Sequence, residues 1–559
     1  MTAKSLASED PGGVEEPASG GGFLGVIERV GNKVPHPVMM FLFLIIGVIV
    51  LSTVLAFFNV AVTETIVVPD NPVVVPDYYE DSTQPILEAA PGYEDDFHLE
   101  ERTISVQPLL SVEGIRFIFT SFVPNFTGFA VVGIAFIALM GAGVAERAGL
   151  MSSLIKLLVA ASPRRALALV LIFVGVLSSV ATDAGYLILV PLGAAAFASV
   201  GRHPLAGMAA CFAGVGAIFG VNIIPGPVDA QVVAITNEAL TLTDQAPQTI
   251  VSNYFFSVVS SIVLAVTAAI VTERIVERRL GKWEPAQIGP ASGISIEDDA
   301  DAVEDRTAER RGLKFASIAT LVWAVIIILL TALPGAPLRD PVTGDIIGNT
   351  PFMDSLMFII TMAFLVAGIG FGYGSGTFKN SGDVIDAVVK TFAGLAGLVF
   401  MLLMIAQFIA VFNYSQMPAV IATMLSQALE ASPIGTLPLL LGMIVVILGL
   451  DIIMPGLVPK WAIFAPIFVP LFDGQGVPAQ TLLAAYRVGD SPMNVVTPLM
   501  VYLPFMVTIA QRYQKNAGIG TVIALMIPYV AVITIVWVIL FSLWFILGLP
   551  LGPGYPITF

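Results

Sequence analysis

Charge is what this chain has least of. Asp, Glu, Lys and Arg make up 12% of its 559 residues, about half of the roughly 25% usual in soluble domains. A single cysteine, Cys211, excludes an internal disulfide, and its setting between Met208 and Gly214 reads as a small buried hydrophobe without a role of its own. The three histidines, His36, His98 and His203, form no metal-binding helix motif. An intramembrane aspartyl protease of the Gly-x-Gly-Asp type would need glycine where Arg487 stands. These absences argue against an enzyme. The formal net charge of −16 comes mainly from the N-terminal tail, a polar loop and a linker, and it argues against a nucleic-acid partner.

Apolar sequence is what the chain has most of. Hydrophobic residues account for 57% of it, and several runs reach the ~20 residues that cross a bilayer as a helix. The chain reads as an all-α polytopic membrane protein forming one integral domain, with the lipid bilayer as its first partner. The polar residues 1–35 are expected to be a mostly disordered cytoplasmic tail with no cleavable signal peptide. Residues 36–272 form a first membrane half, with an external polar loop at 59–115 and a re-entrant hairpin at 165–200. An acidic cytoplasmic linker follows at 273–313, and 314–559 form a second half with a hairpin at 438–472. Arg29, Lys33, Arg147, Arg164, Arg165, Arg274, Arg310 and Lys390 flank apolar runs. By the positive-inside rule they place the N-terminus in the cytoplasm and the C-terminus outside.

Two stretches are too interrupted to be clean spans. From Leu167 to Asn222 the apolar sequence is broken by Ser178-Ser179, Thr182-Asp183, Pro191 and Gly201-Arg202-His203-Pro204, and the texture returns from Leu437 to Ala510. Val190-Pro191-Leu192, Pro204 and Asn222-Ile223-Ile224-Pro225 occur in the same order as Val469-Pro470-Leu471, Pro478 and Asn494-Val495-Val496-Thr497-Pro498. Paired broken segments in two halves point to a transporter site at the repeat interface. The span count gives the halves opposite orientations, an inverted repeat. A channel would instead want a continuous polar lining over several helices.

The residues that could do chemistry follow from cost. A charged side chain at mid-membrane costs roughly 3 kcal/mol on insertion scales and usually faces a cavity. Arg487, Asp490 and Asn494 sit at i, i+3 and i+7 in apolar sequence, so a helix would put them on one face. They read as a substrate grip and an ion site, or as an Arg–Asp pair that only braces the bundle. Pro492 and Pro498 remove backbone donors and free carbonyls nearby. Asp183 stands among hydroxyls where the first hairpin tip is expected, either functional or capping the next helix. Trp461, beside Pro455, Gly456 and Pro459, could stack on an aromatic substrate or anchor the second tip. Asn222 and Asn413 add polar groups at the ends of apolar runs, with Asp229 and Asp451 ranked below them. Asp490 and Asn494, with Asn222 in support, offer hard oxygen ligands for sodium, or a proton site. No other cofactor is expected.

Gly143 to Leu150, Ser178 to Tyr186, Trp461 to Leu471, Ala484 to Pro498 and Ile546 to Pro550 resemble the AbgT family of p-aminobenzoyl-glutamate transporters. The resemblance implies a dimeric inner-membrane protein with about nine spans and two opposed re-entrant hairpins. It would move p-aminobenzoyl-glutamate, and some members export sulfonamide antimetabolites. The resemblance also implies site residues at Asp183, Trp461, Arg487, Asp490 and Pro498. In the family a serine often stands three residues before the hairpin tryptophan; here that position is Val458, which removes a hydrogen bond and bears on substrate preference. A glutamyl carboxylate suits the fork of Arg487, and an aminobenzoyl ring would suit Trp461.

Overall fold

The structure, a computed structural model, describes residues 37–558 except 70–71, 76–85, 90–96, 161, 165, 179–184, 244, 284–299, 348–349, 431–434, 453, 455 and 498–499. The first apolar run forms α1 (Pro37–Phe57). The segment after it adds short strands to an otherwise helical fold. β1 (Ala61–Pro69) pairs antiparallel with β4 (Phe97–Ser105), Ala61 opposite Ser105, and β2 (Pro72–Val75) pairs with β3 (Ile86–Ala89). β-Branched residues such as Val62, Thr63, Thr65 and Ile66 favour an extended chain, and the acids between them obscure the pattern.

α2 (Val112–Thr127) starts where Ser111 Oγ accepts the Gly114 N–H at 3.0 Å, with Glu113 in the first turn. α3 (Ala130–Ala148) ends at Gly149, which takes the left-handed conformation of a helix stop, and α4 (Leu150–Ala160) follows. Helix therefore already begins at Val112, inside the segment expected to be external loop.

The first interrupted region comprises α5 (Leu167–Ser178), a π turn at Gly185–Leu189, α6 (Val190–Ser199), α7 (Pro204–Phe212), a second π turn at Ala213–Ala217 and α8 (Pro227–Leu240). α9 (Tyr254–Val271) continues through a π turn into α10 (Glu277–Leu280), and α11 (Ala300–Ala332) begins inside the expected linker. Ala, Glu and Arg are good helix formers, so both helices run past the apolar stretch that marks the membrane. α12 (Pro351–Ser375), α13 (Ser381–Gly394), α14 (Ala396–Tyr414) and α15 (Met417–Glu430) lead to the second interrupted region. That region comprises α16 (Thr436–Asp451), α17 (Leu457–Asp473), α18 (Ala479–Asp490), a 3-10 turn at Pro492–Val495 and α19 (Leu503–Tyr513), after which α20 (Ile519–Ile546) closes the helical part. Among the described residues, 7 helical passages are long and apolar enough to cross a membrane, and the remaining apolar sequence lies in shorter helices.

The two interrupted regions share an element order and meet each other. α8 packs on α17 and α7 on α19, the π turn at Ala213–Ala217 lies against the 3-10 turn at Pro492–Val495, and the helices that follow the two regions, α9 and α20, pack together as well. This approach is close enough to dictate residue type. A Cβ on Gly220 would lie 2.1 Å from Ser491 Oγ, and one on Gly216 would lie 2.7 Å from Val495 Cγ1. Gly216→Ala, which sets a methyl group against a β-branched side chain stiff at χ1, is therefore expected to cost about 1–3 kcal/mol, the usual penalty of overpacking. A melting temperature unchanged from wild type would refute that.

The C-terminal residues tie the same elements together. Leu551 O accepts the Phe255 N–H at 2.8 Å, Gln480 Nε2 donates to Pro556 O at 2.8 Å and Thr481 Oγ1 donates to Ile557 O at 2.6 Å. The starts of α9 and α18 are thereby held side by side, and Arg487 is carried two turns further along α18.

Candidate functional site

α18 delivers Arg487 and Asp490 to different places. Three residues on a helix turn by about 300°, so the two side chains leave the axis on neighbouring but diverging lines. They do not pair with each other. Arg487 Nη1 donates to Gly220 O at 2.7 Å and to Asp229 Oδ1 at 2.6 Å, so the first half of the chain supplies its partners. The arginine side chain is 3% exposed and that of Asp229 17%. Asp229 Oδ2 accepts the Gly226 N–H at 2.7 Å, which caps α8 and fixes the carboxylate.

Arg487 and Asp229 line a small, partly open cleft, together with Asn222, Pro225, Ile250, Asn253, Tyr254 and Ser257. Two of its polar atoms have no hydrogen-bond partner in the protein: Arg487 Nε, a donor, and Asn253 Oδ1, an acceptor. Asn253 is held by its amide, which donates to Gln480 O at 2.8 Å. Asn222 is fully engaged, its Nδ2 donating to Val176 O at 2.9 Å and its Oδ1 accepting the Ile223 N–H at 2.7 Å. It shapes the wall by pinning the end of α5. The cavity thus combines an arginine fork, a carboxylate, an amide and a tyrosine, with a donor and an acceptor left over for a guest.

Asp490 belongs to a second cluster. Lys460, in the first turn of α17, forms ion pairs with Asp451 at the end of α16 and with Asp490 Oδ1 at 2.6 Å. All three side chains are fully buried. The Tyr486 hydroxyl lies 3.1 Å from Asp490 Oδ1 and 2.7 Å from Leu457 O. Asn494 does not face the Asp490 carboxylate: its Nδ2 donates to the Asp490 backbone oxygen at 2.9 Å. A lysine ammonium thus stands where the sequence suggests a sodium ion.

Trp461 is fully buried, its Nε1 donating to Thr236 Oγ1 of α8 at 2.9 Å and its ring 4.4 Å from that of Tyr486. In this conformation it packs the two halves together and presents no free face. Trp461→Phe is expected to cost about 1 kcal/mol through the lost buried hydrogen bond, and Trp461→Ala about 3–5 kcal/mol through the cavity it leaves. Unfolding in mild denaturant would reveal both, and equal stability of the two variants would exclude a packing role. Asn413 sits at the end of α14, near the junction where the Gln107 N–H donates to Ser415 O at 2.9 Å; it does not line the cavity, and its Oδ1 is unpartnered. Asp183 and Pro498 lie outside the described residues.

Sequence reasoning did not single out Lys460, Asn253, Tyr254 or Ser257, and it ranked Asp229 and Asp451 low. Lys460 carries the same signal as Arg487, a cation inside an apolar hairpin. The other three lie at the start of an ordinary span and give no warning.

Membrane-crossing helices, with interrupted helices from two halves closing around a buried arginine, are the makings of an α-helical membrane transporter. The chain belongs to the AbgT transporter family, whose model matches residues 22–559. It is 31% identical over 538 residues to the p-aminobenzoyl-glutamate transport protein of Escherichia coli strain K12, covering 96% of this chain and 97% of that one. Among solved structures it resembles the YdaH transporter of Alcanivorax borkumensis, with TM-score 0.79 and 33% identity over 93% of this chain and all of that one. It is similarly close to MtrF of Neisseria gonorrhoeae, described with a class of antimetabolite efflux pumps, with TM-score 0.79 and 33% identity over 96% of this chain and all of that one.

Proposed function

We propose that this protein is a secondary transporter of p-aminobenzoyl-glutamate and related aromatic-acyl glutamates, driven by a proton or sodium gradient, with Asp490 at the coupling position. The observation that carries the reading is Arg487. It is a buried guanidinium from the second half, paired directly with a carboxylate of the first half at the edge of a cleft, with its Nε unpartnered. A substrate carboxylate can replace Asp229 on the fork and engage Nε as well. The aminobenzoyl ring finds an aromatic neighbour in Tyr254, since Trp461 is enclosed. Asn253 Oδ1 can accept an N–H from the amide of the guest.

The function of the Escherichia coli relative supports this substrate class, and the antimetabolite efflux described with MtrF supports export of antimetabolites, for which we propose sulfonamide-type aromatics. We place the protein in the inner membrane as a homodimer of inverted repeats, N-terminus in the cytoplasm and C-terminus outside. Basic residues beside the spans, Arg147 and Arg274 among them, support the orientation.

Purified protein in proteoliposomes should take up p-aminobenzoyl-glutamate saturably. Benzoyl-glutamate should compete, and p-aminobenzoate, lacking the dicarboxylate, should compete far less. Equal competition by both would remove Arg487 as the carboxylate grip, and flux that does not saturate would point to a channel.

A further inference from the structure

The cluster around Lys460 carries an inference about ion use that rests on Asp490 being the coupling position. Two carboxylates from different helices converge on a single ammonium, and none of the three side chains is exposed. Asp490 Oδ1 lies 2.6 Å from Nζ, a short charge-assisted hydrogen bond. The Tyr486 hydroxyl lies against the same Asp490 oxygen. Asp451 Oδ2 and Asp490 Oδ2 are buried without any hydrogen-bond partner. This is a set of hard oxygen ligands with unspent acceptor capacity, and a covalently attached cation occupies its centre.

We infer that Lys460 is a tethered counter-cation that takes the place of a coupling sodium ion between Asp451 and Asp490, so that this protein transports its substrate without sodium. The contact geometry supports the assignment. A sodium ion brought to the same oxygens would sit in contact with the ammonium, where like charges repel most strongly in a dry interior. A free ion can leave and return with each cycle, whereas Lys460 cannot diffuse away. Its position on α17, bridging α16 and α18, instead locks the second hairpin to the helix that carries Arg487. Removing the ammonium while keeping a polar side chain would leave a vacancy lined by two carboxylates, a tyrosine hydroxyl and an amide oxygen, all hard ligands.

The test compares the wild-type protein with Lys460→Gln and with Lys460→Gln/Asp451→Asn. The double variant leaves a single carboxylate, that of Asp490, beside the vacancy. Uptake into proteoliposomes is measured in sodium and in potassium at one pH and one ionic strength, and melting of the purified proteins is followed against each salt. Wild-type uptake and melting should not distinguish the two ions. In at least one lysine variant, sodium but not potassium should raise the melting temperature, and uptake should rise about tenfold with sodium, within the usual range for coupled ligands. A variant that folds only in sodium would support the inference equally.

Sodium-stimulated uptake by wild-type protein would overturn it. So would the absence of sodium-selective stabilisation in both variants, or failure of both to fold even in sodium. If no form transports p-aminobenzoyl-glutamate while the lysine variants are stabilised by sodium, the substrate reading falls and the inference about Lys460 stands.

Discussion

Arg487→Ala is expected to bring substrate flux down to background while the protein still inserts and folds. The fork can offer a substrate carboxylate two charge-assisted hydrogen bonds, each worth about 1.5–3 kcal/mol. Losing both costs about 3–6 kcal/mol, which is roughly 10²–10⁴ in rate or affinity. The same substitution leaves Asp229 without its cation, and removal of one partner from a fully buried pair costs about 3–5 kcal/mol. Asp229 is 17% exposed and keeps its bond to the Gly226 N–H, so water can take over part of the lost interaction. The stability loss should therefore fall toward about 1–3 kcal/mol. Arg487→Lys separates charge from geometry: it keeps the cation, loses the planar fork, and should transport at an intermediate rate. Initial uptake rates and size-exclusion profiles of the three proteins measure both effects. Wild-type flux in the alanine variant would remove Arg487 from the substrate site.

The reason Arg487 could be found from sequence at all is that apolar surroundings make a cation conspicuous. The same argument applies to Lys460, but Pro455, Gly456, Pro459 and Trp461 make its segment look like a hairpin tip at an interface, where a lysine can reach water at little cost. The structure instead buries it completely. Asp229 and Asp451 were visible as acids, yet what gives each a role is its partner, 258 residues away for Asp229 and across a helix break for Asp451. Pairings of that kind are set by tertiary packing and leave no local pattern.

The interruptions were more legible. Pro204 and Pro478 stand where new helices begin, and the Asn222 and Asn494 segments mark the breaks that meet at the interface between the two halves. Helix ends were less so, because α11 and the α9–α10 passage run into charged sequence that still favours helix. The spacing of Arg487 and Asp490 also invited a shared face. Their divergence to Asp229 and Lys460 follows from which neighbours α18 meets, α8 on one side and α16 and α17 on the other.

Asp490→Asn should abolish coupled transport with little loss of stability, and the charge arithmetic says why. In the native cluster the buried Lys460 pairs with both Asp451 and Asp490. Replacing Asp490 by its amide leaves Lys460 paired with Asp451, a neutral pair, and the oxygen of the introduced amide can still accept from the ammonium and from Tyr486. Transport should fall about 100-fold or more, equivalent to roughly 2.7 kcal/mol, because the carboxylate at the proposed coupling position is gone. Lys460→Met reverses the pattern. It strands two carboxylates in a dry site and should cost the fold about 3–5 kcal/mol. Melting of the two variants beside their flux makes the comparison decisive. An Asp490→Asn protein that melts as far below wild type as Lys460→Met would make Asp490 a structural brace. One that transports at the wild-type rate would take it out of coupling altogether.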